Sequence, residues 1–163
     1  MSGQAVRVVP ATPDDAGPIL TVQRAAYVTE AQAYGDPFIS PLVESAEQIR
    51  KALADPATVA FRALLGTRLV GSVRGRVNDR TCLVGRLSVA PDLQGHGVGT
   101  VLLTALEREV AGRVDTLALF TGHQSSGNLR LYRRLGYTEA SRERVAAHLV
   151  FVHLRKELGA VHA

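Results

Sequence analysis

The sequence predicts an α+β fold: one mixed, mostly antiparallel sheet with helices, in the order β-α-α-β-β-β-α-β-α-β-β. Three observations lead there. Ala60 to Leu65, Arg68 to Val77 and Thr81 to Val89 are strand-like runs separated by Gly66-Thr67 and Asn78-Asp79, short turn signals that predict an antiparallel meander. Val98, Val101, Leu102, Ala105, Leu106 and Val110 then recur at helical spacing. A buried-looking run from Thr116 to Thr121 follows, so the meander feeds a β-α-β unit near the middle of the chain.

The remaining elements follow from local chemistry. Gln4 to Pro10 carries the β-branched Val6, Val8 and Val9 and predicts a first strand ended by Pro10. Asp14 or Asp15 can cap a first helix, with Pro18 in its first turn and Ile19, Val22 and Ala26 facing inward. Ala33 to Pro41 holds two prolines, a glycine and two aromatics and predicts a long ordered loop. Ser45 with Gln48 three residues on is a capping-box pattern, opening a second helix to about Ala54. Gly112 is placed to end the third helix. Ser125 to Leu135 predicts a fourth helix closed by Gly136, and Tyr137 to Glu143 and Ala147 to Arg155 the last two strands.

Composition narrows the function. The 163 residues are 46% hydrophobic and 21% charged, which fits one globular domain spanning 1–163 without disulfides or structural metal. Cys82 is the single cysteine, and no Cys/His cluster has zinc spacing, so a reducing cytoplasm is expected and no metal. The start lacks a secretory signal pattern, and no segment approaches the roughly 18 apolar residues of a membrane span. Net charge is +4, but the arginines are scattered among aliphatics, so neither nucleic acid nor membrane is predicted as a partner.

Chemistry concentrates in Leu87 to Thr100, a strand ending in Gln94-Gly95-His96-Gly97-Val98-Gly99-Thr100 and continuing as a helix. Such a turn lets several backbone amides converge on one anion, aided by the positive end of the helix. A pyrophosphate suits it; so does an ordinary strand-to-helix turn in which glycines serve packing or positive φ. A Walker A loop would need a Gly-Lys-Ser/Thr sequence, and a dinucleotide fingerprint needs G-x-G-x-x-G rather than G-x-G-x-G.

Gln94, Gly97 and Gly99 match Q/R-x-x-G-x-G/A, and the chain in this respect resembles the GNAT superfamily of acyl-CoA N-acyltransferases. Leu87-Ser88-Val89-Ala90-Pro91 resembles that family's fourth-strand ending, and Leu131-Tyr132-Arg133-Arg134-Leu135-Gly136-Tyr137 its L-Y-x-x-x-G-F/Y segment. The resemblance implies acetyl-CoA as acyl donor. Its pyrophosphate would sit on amides of Gln94, Gly95, His96, Gly97, Val98, Gly99 and Thr100, and its pantetheine arm along the backbone of Leu87, Ser88 and Val89. It also implies direct attack by an acceptor amine, with no covalent enzyme intermediate.

Within that frame Tyr132 is the candidate proton donor. Ser125, Asn128 and Tyr132 stand at i, i+3 and i+7, one face of the fourth helix turned toward the ligand. The leaving thiolate, with a reference pKa near ~8.5, would take a proton from a phenol near ~10. The alternative is a tyrosine that only packs under the sheet. Cys82, on a strand with no activating neighbour, reads as a core residue.

Many family members carry a carboxylate base on the fourth strand, where this chain has Val84, Gly85 and Arg86. Glu30, Asp36 and Glu44 lie in or beside the acceptor segment and are the substitutes, or else ordinary solvated carboxylates. Tyr27, Tyr34 and Phe38 line an amine pocket or pack the loop, and His148 and His153, on opposite faces of a strand, cannot share a metal. The acceptor-binding set is thus Tyr27, Glu30, Tyr34 and Glu44, and the acceptor a small-molecule or peptide amine. A homodimer is compatible with these features. A coenzyme A-binding regulatory or partner-binding module without turnover is the competing function.

Overall fold

In the computed structural model, which describes residues 5–159, β1 (Arg7–Pro10) passes through a short 3-10 turn into the long helix α1 (Ala16–Tyr34). Gln4, the expected start of the first strand, lies outside the described residues. Asp15 occupies the N-cap position of α1 but spends its carboxylate elsewhere, accepting from the Thr12 amide at 2.7 Å and pairing with Arg62 at 2.9 Å. Ile19, Leu20 and Val22 are buried against the sheet and α3.

Helix α1 is longer than the sequence suggests. Ala33 and Tyr34, expected in a loop, complete its last turn, and Gly35 stops it in the left-handed conformation at φ 61°. Burial of the Tyr34 ring overrides the loop signal of the prolines that follow. The rest of that segment contains a further short helix, α2 (Ser40–Val43), before α3 (Ala46–Ala54). Ser45 and Gln48 form the reciprocal cap expected of them, at 3.1 and 2.8 Å.

Next come β2 (Thr58–Leu65), β3 (Arg68–Asn78) and β4 (Thr81–Val89), antiparallel in succession. Then follow α4 (Val98–Val110), β5 (Thr116–Gly122), α5 (Ser126–Arg134), β6 (Thr138–Ala146) and β7 (Leu149–Glu157). The seven strands form one sheet in the order β1-β2-β3-β4-β5-β7-β6, antiparallel except for the β4–β5 pair. The mixed, mostly antiparallel α+β fold expected from the sequence is the one observed.

The core lies between the sheet and α4, whose Leu102, Leu103, Leu106 and Val110 meet Val70, Val73, Cys82, Leu117 and Leu154. Gly75 is required there: a Cβ on it would come within 2.5 Å of the Cys82 sulfur. Among the described residues no helix is long and apolar enough to cross a membrane.

Two irregularities of β4 shape the site. Its parallel pairing with β5 covers only Thr81 to Leu83 against Thr116 to Ala118, so β4 runs on to Val89 with no β5 partner. Its pairing with β3 also slips: Arg74 faces Gly85 and Ser72 faces Ser88, leaving Arg86 and Leu87 opposite Val73 alone. This is a β-bulge, and Arg86 adopts φ 55°, rare for a residue with a side chain. Glu44 braces it, accepting from Arg86 at 3.2 Å, from Gln23 at 3.0 Å and from Arg74 at 2.5 Å.

Candidate active site

Where β4 separates from β5, a cleft of about 560 Å³ opens between β4, α1 and the amino ends of α4 and α5. Its floor is Leu87 and Val89, one end is the turn from Leu93 to Thr100, and its far wall is Gln124 to Asn128. Helix α1 closes the third side with Tyr27 and Glu30.

The glycine turn is built in two ways. Gly95 and Gly97 have φ 82° and 85°, a conformation that a side chain disfavours, while the space a Cβ would enter is open. Gly99 instead serves packing, since a Cβ there would lie 3.1 Å from Leu131 of α5. The Gln94 side chain bonds back to the Val89 carbonyl at 3.2 Å and fixes the turn to the strand end. The first amides of α4 lack intrahelical acceptors and carry the positive end of the helix, so the cleft's turn end is electrostatically suited to an anion. Arg130 and Arg134, one helical turn apart on α5, line the same cleft. Their i, i+4 spacing is visible in the sequence, but the rotation of α5 about its axis is not.

At the other end the polar groups are connected. Ser125 Oγ donates to Glu30 Oε2 at 2.5 Å, and Asn128 Nδ2 donates to Glu30 Oε1 at 3.2 Å. The Tyr34 hydroxyl lies 3.0 Å from Ser125 Oγ and accepts from the Gln124 amide at 2.8 Å. Because the one Ser125 proton goes to the carboxylate, Tyr34 donates to Ser125. The order is Gln124 N–H to Tyr34, Tyr34 to Ser125, Ser125 to Glu30. Gly122 makes room for it, since a Cβ there would collide with the Tyr34 hydroxyl.

Tyr27 donates to the Leu87 carbonyl at 3.0 Å, and burial of its hydroxyl, with a smaller contribution from Glu30, pushes its pKa up to about 12 against the opposing Arg86. Tyr132 is buried, its ring edge-on to Tyr137 at 5.9 Å. Burial, with the nearby Tyr27 and Glu30, drives its phenol well above the ordinary range. It is fully protonated at neutral pH, with its proton held more tightly than that of a free phenol.

Of the residues singled out from sequence, Leu87, Val89, Gln94, Gly95, Gly97, Val98, Gly99, Thr100, Ser125, Asn128, Tyr27 and Glu30 share this cleft. Ser88 points away, buried, with its hydroxyl on the Arg86 carbonyl at 3.2 Å. His96 is exposed on the outside of the turn. Tyr34 stands behind Ser125, and Glu44 lies under the β4 bulge with its arginines. Burial, Gln23 and Arg74 act on Glu44 with opposite signs, and the donors prevail to hold its pKa below the usual carboxylate range. Asp36 pairs with His148 at 3.0 Å, joining the α1–α2 loop to the β6–β7 turn, and His153 pairs with Glu143. Cys82 is fully buried, and burial raises its thiol to about 11.

Known proteins share this fold. Residues 24–158 match the model of the acetyltransferase (GNAT) domain. The fold is similar to the ribosomal-protein-S18-alanine N-acetyltransferase of Escherichia coli, with TM-score 0.81, 16% identity and 97% of each chain covered. It is similar to the PaiA N-acetyltransferase of Thermoplasma acidophilum in complex with coenzyme A, with TM-score 0.76, 14% identity, and 94% of this chain and 99% of that one covered. Arabidopsis thaliana NAA60 in complex with a bisubstrate analogue gives TM-score 0.77 at 13% identity over 96% of this chain and 100% of that one. Among curated proteins no sequence relative matches. With the domain model spanning most of the chain and the cleft in place, the protein belongs to the GNAT acetyltransferase family and is an acyl-CoA-dependent acetyltransferase.

Proposed function

We propose that the protein transfers the acetyl group of acetyl-CoA to a primary amine of a small molecule, peptide or protein, by direct attack within a ternary complex. One observation carries this reading: a single cleft joins an anion-receptive turn at one end to a cluster of proton-bearing side chains at the other, along the part of β4 that β5 does not pair.

The residues fit the donor. Amides from Gln94 to Thr100 would hold the pyrophosphate, and Arg130 and Arg134 would add charge-assisted bonds to phosphate oxygens. Leu87 and Val89 would offer backbone groups to the pantetheine amides, and Ser125 and Asn128 would flank the arm. Bound acetyl-CoA supplies an acyl carbon activated as a thioester. Tyr132 would give the departing sulfur its proton, and the Tyr27–Glu30 side would admit the amine. The buried Cys82, with its raised pKa, is unsuited to carry an acyl group, which supports direct attack. The CoA complex of PaiA and the bisubstrate complex of NAA60 support the donor and the ternary geometry by analogy of fold. We place this activity in the cytoplasm and in one domain, 1–163.

Val84, Gly85 and Arg86 leave the bulged part of β4 without a carboxylate, which favours a second reading, a coenzyme A-binding module with little turnover. Thiol release from acetyl-CoA across a panel of amines and amino-terminal peptides decides between them. Amine-dependent release is expected; tight coenzyme A binding with no release on any acceptor would favour the module.

A further inference from the structure

Resting on the acetyl-transfer reading, we propose that Glu30 of α1 is the group that takes the proton of the attacking amine, held for this by the Tyr34–Ser125 hydrogen-bond chain and by Asn128. The place normally sought for a base, the strand, is taken in this chain by Val84, Gly85 and Arg86. Glu30 is the carboxylate among the cleft-lining side chains. A carboxylate has about four lone-pair sites, and Ser125 and Asn128 occupy one on each oxygen, so two remain for a ligand.

The chain behind Glu30 fixes more than position. The Gln124 amide and the Ser125 proton leave Tyr34 one direction in which to donate, so no hydroxyl can turn and offer the carboxylate a competing orientation. Gly122 is the residue that permits this approach. Asn128, which donates to Glu30, stands one helical turn before Tyr132 on α5, so neighbouring positions of one helix serve both ends of the proton path.

The step balances with these residues alone. The neutral amine's nitrogen pair forms the C–N bond to the thioester carbonyl carbon, and an N–H proton, made acidic by that bond, passes to Glu30. The C–S bond breaks with its electron pair on sulfur, which takes the Tyr132 hydroxyl proton. Glu30 then returns its proton to the Tyr132 oxygen, directly or through water, and both groups are restored. The sum is amine plus acetyl-CoA to amide plus coenzyme A.

The test compares wild type with Glu30→Gln on any acceptor that supports wild-type turnover. Glutamine can still accept from Ser125 but cannot hold a proton, so kcat should fall about 100-fold or more while KM for the amine stays within about threefold. Coenzyme A affinity by calorimetry and the melting temperature should be nearly unchanged, and formate should restore part of the rate to Glu30→Ala. Ser125→Ala and Tyr34→Phe, which alter positioning residues, should each lower kcat about fivefold to tenfold, and Ser125→Thr should recover most of that loss. A folded Glu30→Gln protein with wild-type kcat, or Glu30→Ala without formate rescue, overturns the assignment to Glu30 and leaves the acetyl-transfer reading intact. A wild type that binds coenzyme A but acetylates nothing overturns both.

Discussion

The Tyr27 hydroxyl donates to the Leu87 carbonyl across 3.0 Å, tying α1 to the residue just after the left-handed Arg86 in the bulge of β4. Tyr27→Phe should destabilise the protein by about 1 kcal/mol at pH 7, the net worth of one such bond. Tyr27 also titrates high: its folded pKa is raised from 10.0 to about 12. Its stability contribution is therefore complete below pH 10 and is lost as pH rises from 10 toward 12. Urea midpoints of wild type and Tyr27→Phe should converge above pH 10 and then cross, since a rise from 10.0 to about 12 outweighs one hydrogen bond, and parallel curves would contradict an enclosed phenol.

Gly97→Val should weaken coenzyme A binding by more than about tenfold, because φ 85° at the head of α4 is unfavourable for a β-branched residue by roughly 1–2 kcal/mol and its amides move with it. Arg130→Ala and Arg134→Ala should weaken it by a few-fold each, with the loss shrinking at high salt. Calorimetry at two ionic strengths, on mutants with unchanged circular dichroism, reads both effects. Salt-independent losses at the arginines would remove them from the phosphate site.

Tyr132→Phe should lower kcat at least tenfold while coenzyme A affinity barely moves, since the ring and its contact with Tyr137 remain. Cys82→Ala, by contrast, should keep most of the activity, because the thiol is raised to about 11 and sits in the core. Wild-type kcat in Tyr132→Phe would leave water as the proton source for sulfur. An acetyl group trapped on Cys82 by mass spectrometry would contradict direct attack.

Glu44→Gln should cost about 3 kcal/mol, because Arg74 and Arg86 would lose their shared anion in a largely enclosed setting. The folded pKa of Glu44 lies below 4.5, so its contribution is full above that value and disappears as pH falls through the folded pKa. The wild-type advantage over Glu44→Gln should therefore shrink as pH falls below 4.5 and vanish at the acid end. An advantage constant with pH would point to packing rather than charge.

Much of this was legible in residue order. The turn signals at Gly66 and Asn78-Asp79, the helical spacing from Val98 to Val110, and the Gln94 to Thr100 turn all report local chemistry, and local chemistry is what a linear sequence carries. The end of α1 was not legible, because Tyr34 is held in the helix by partners some ninety positions away. Distance in sequence also hid the Glu30–Ser125 contact and the bracing of Arg86 by Glu44. Arg130 and Arg134 were overlooked for another reason: a helix's spacing tells which side chains share a face, not which way that face is turned.

The early parting of β4 from β5 has a consequence for how such a protein can change over time. A gap between strands presents main-chain groups, and every residue except proline presents the same ones. Recognition written there is indifferent to most substitutions along the strand, so side chains around it are free to diversify while the frame stays put. New acceptors can then be acquired by rewriting the helices above the gap, without renegotiating the gap itself.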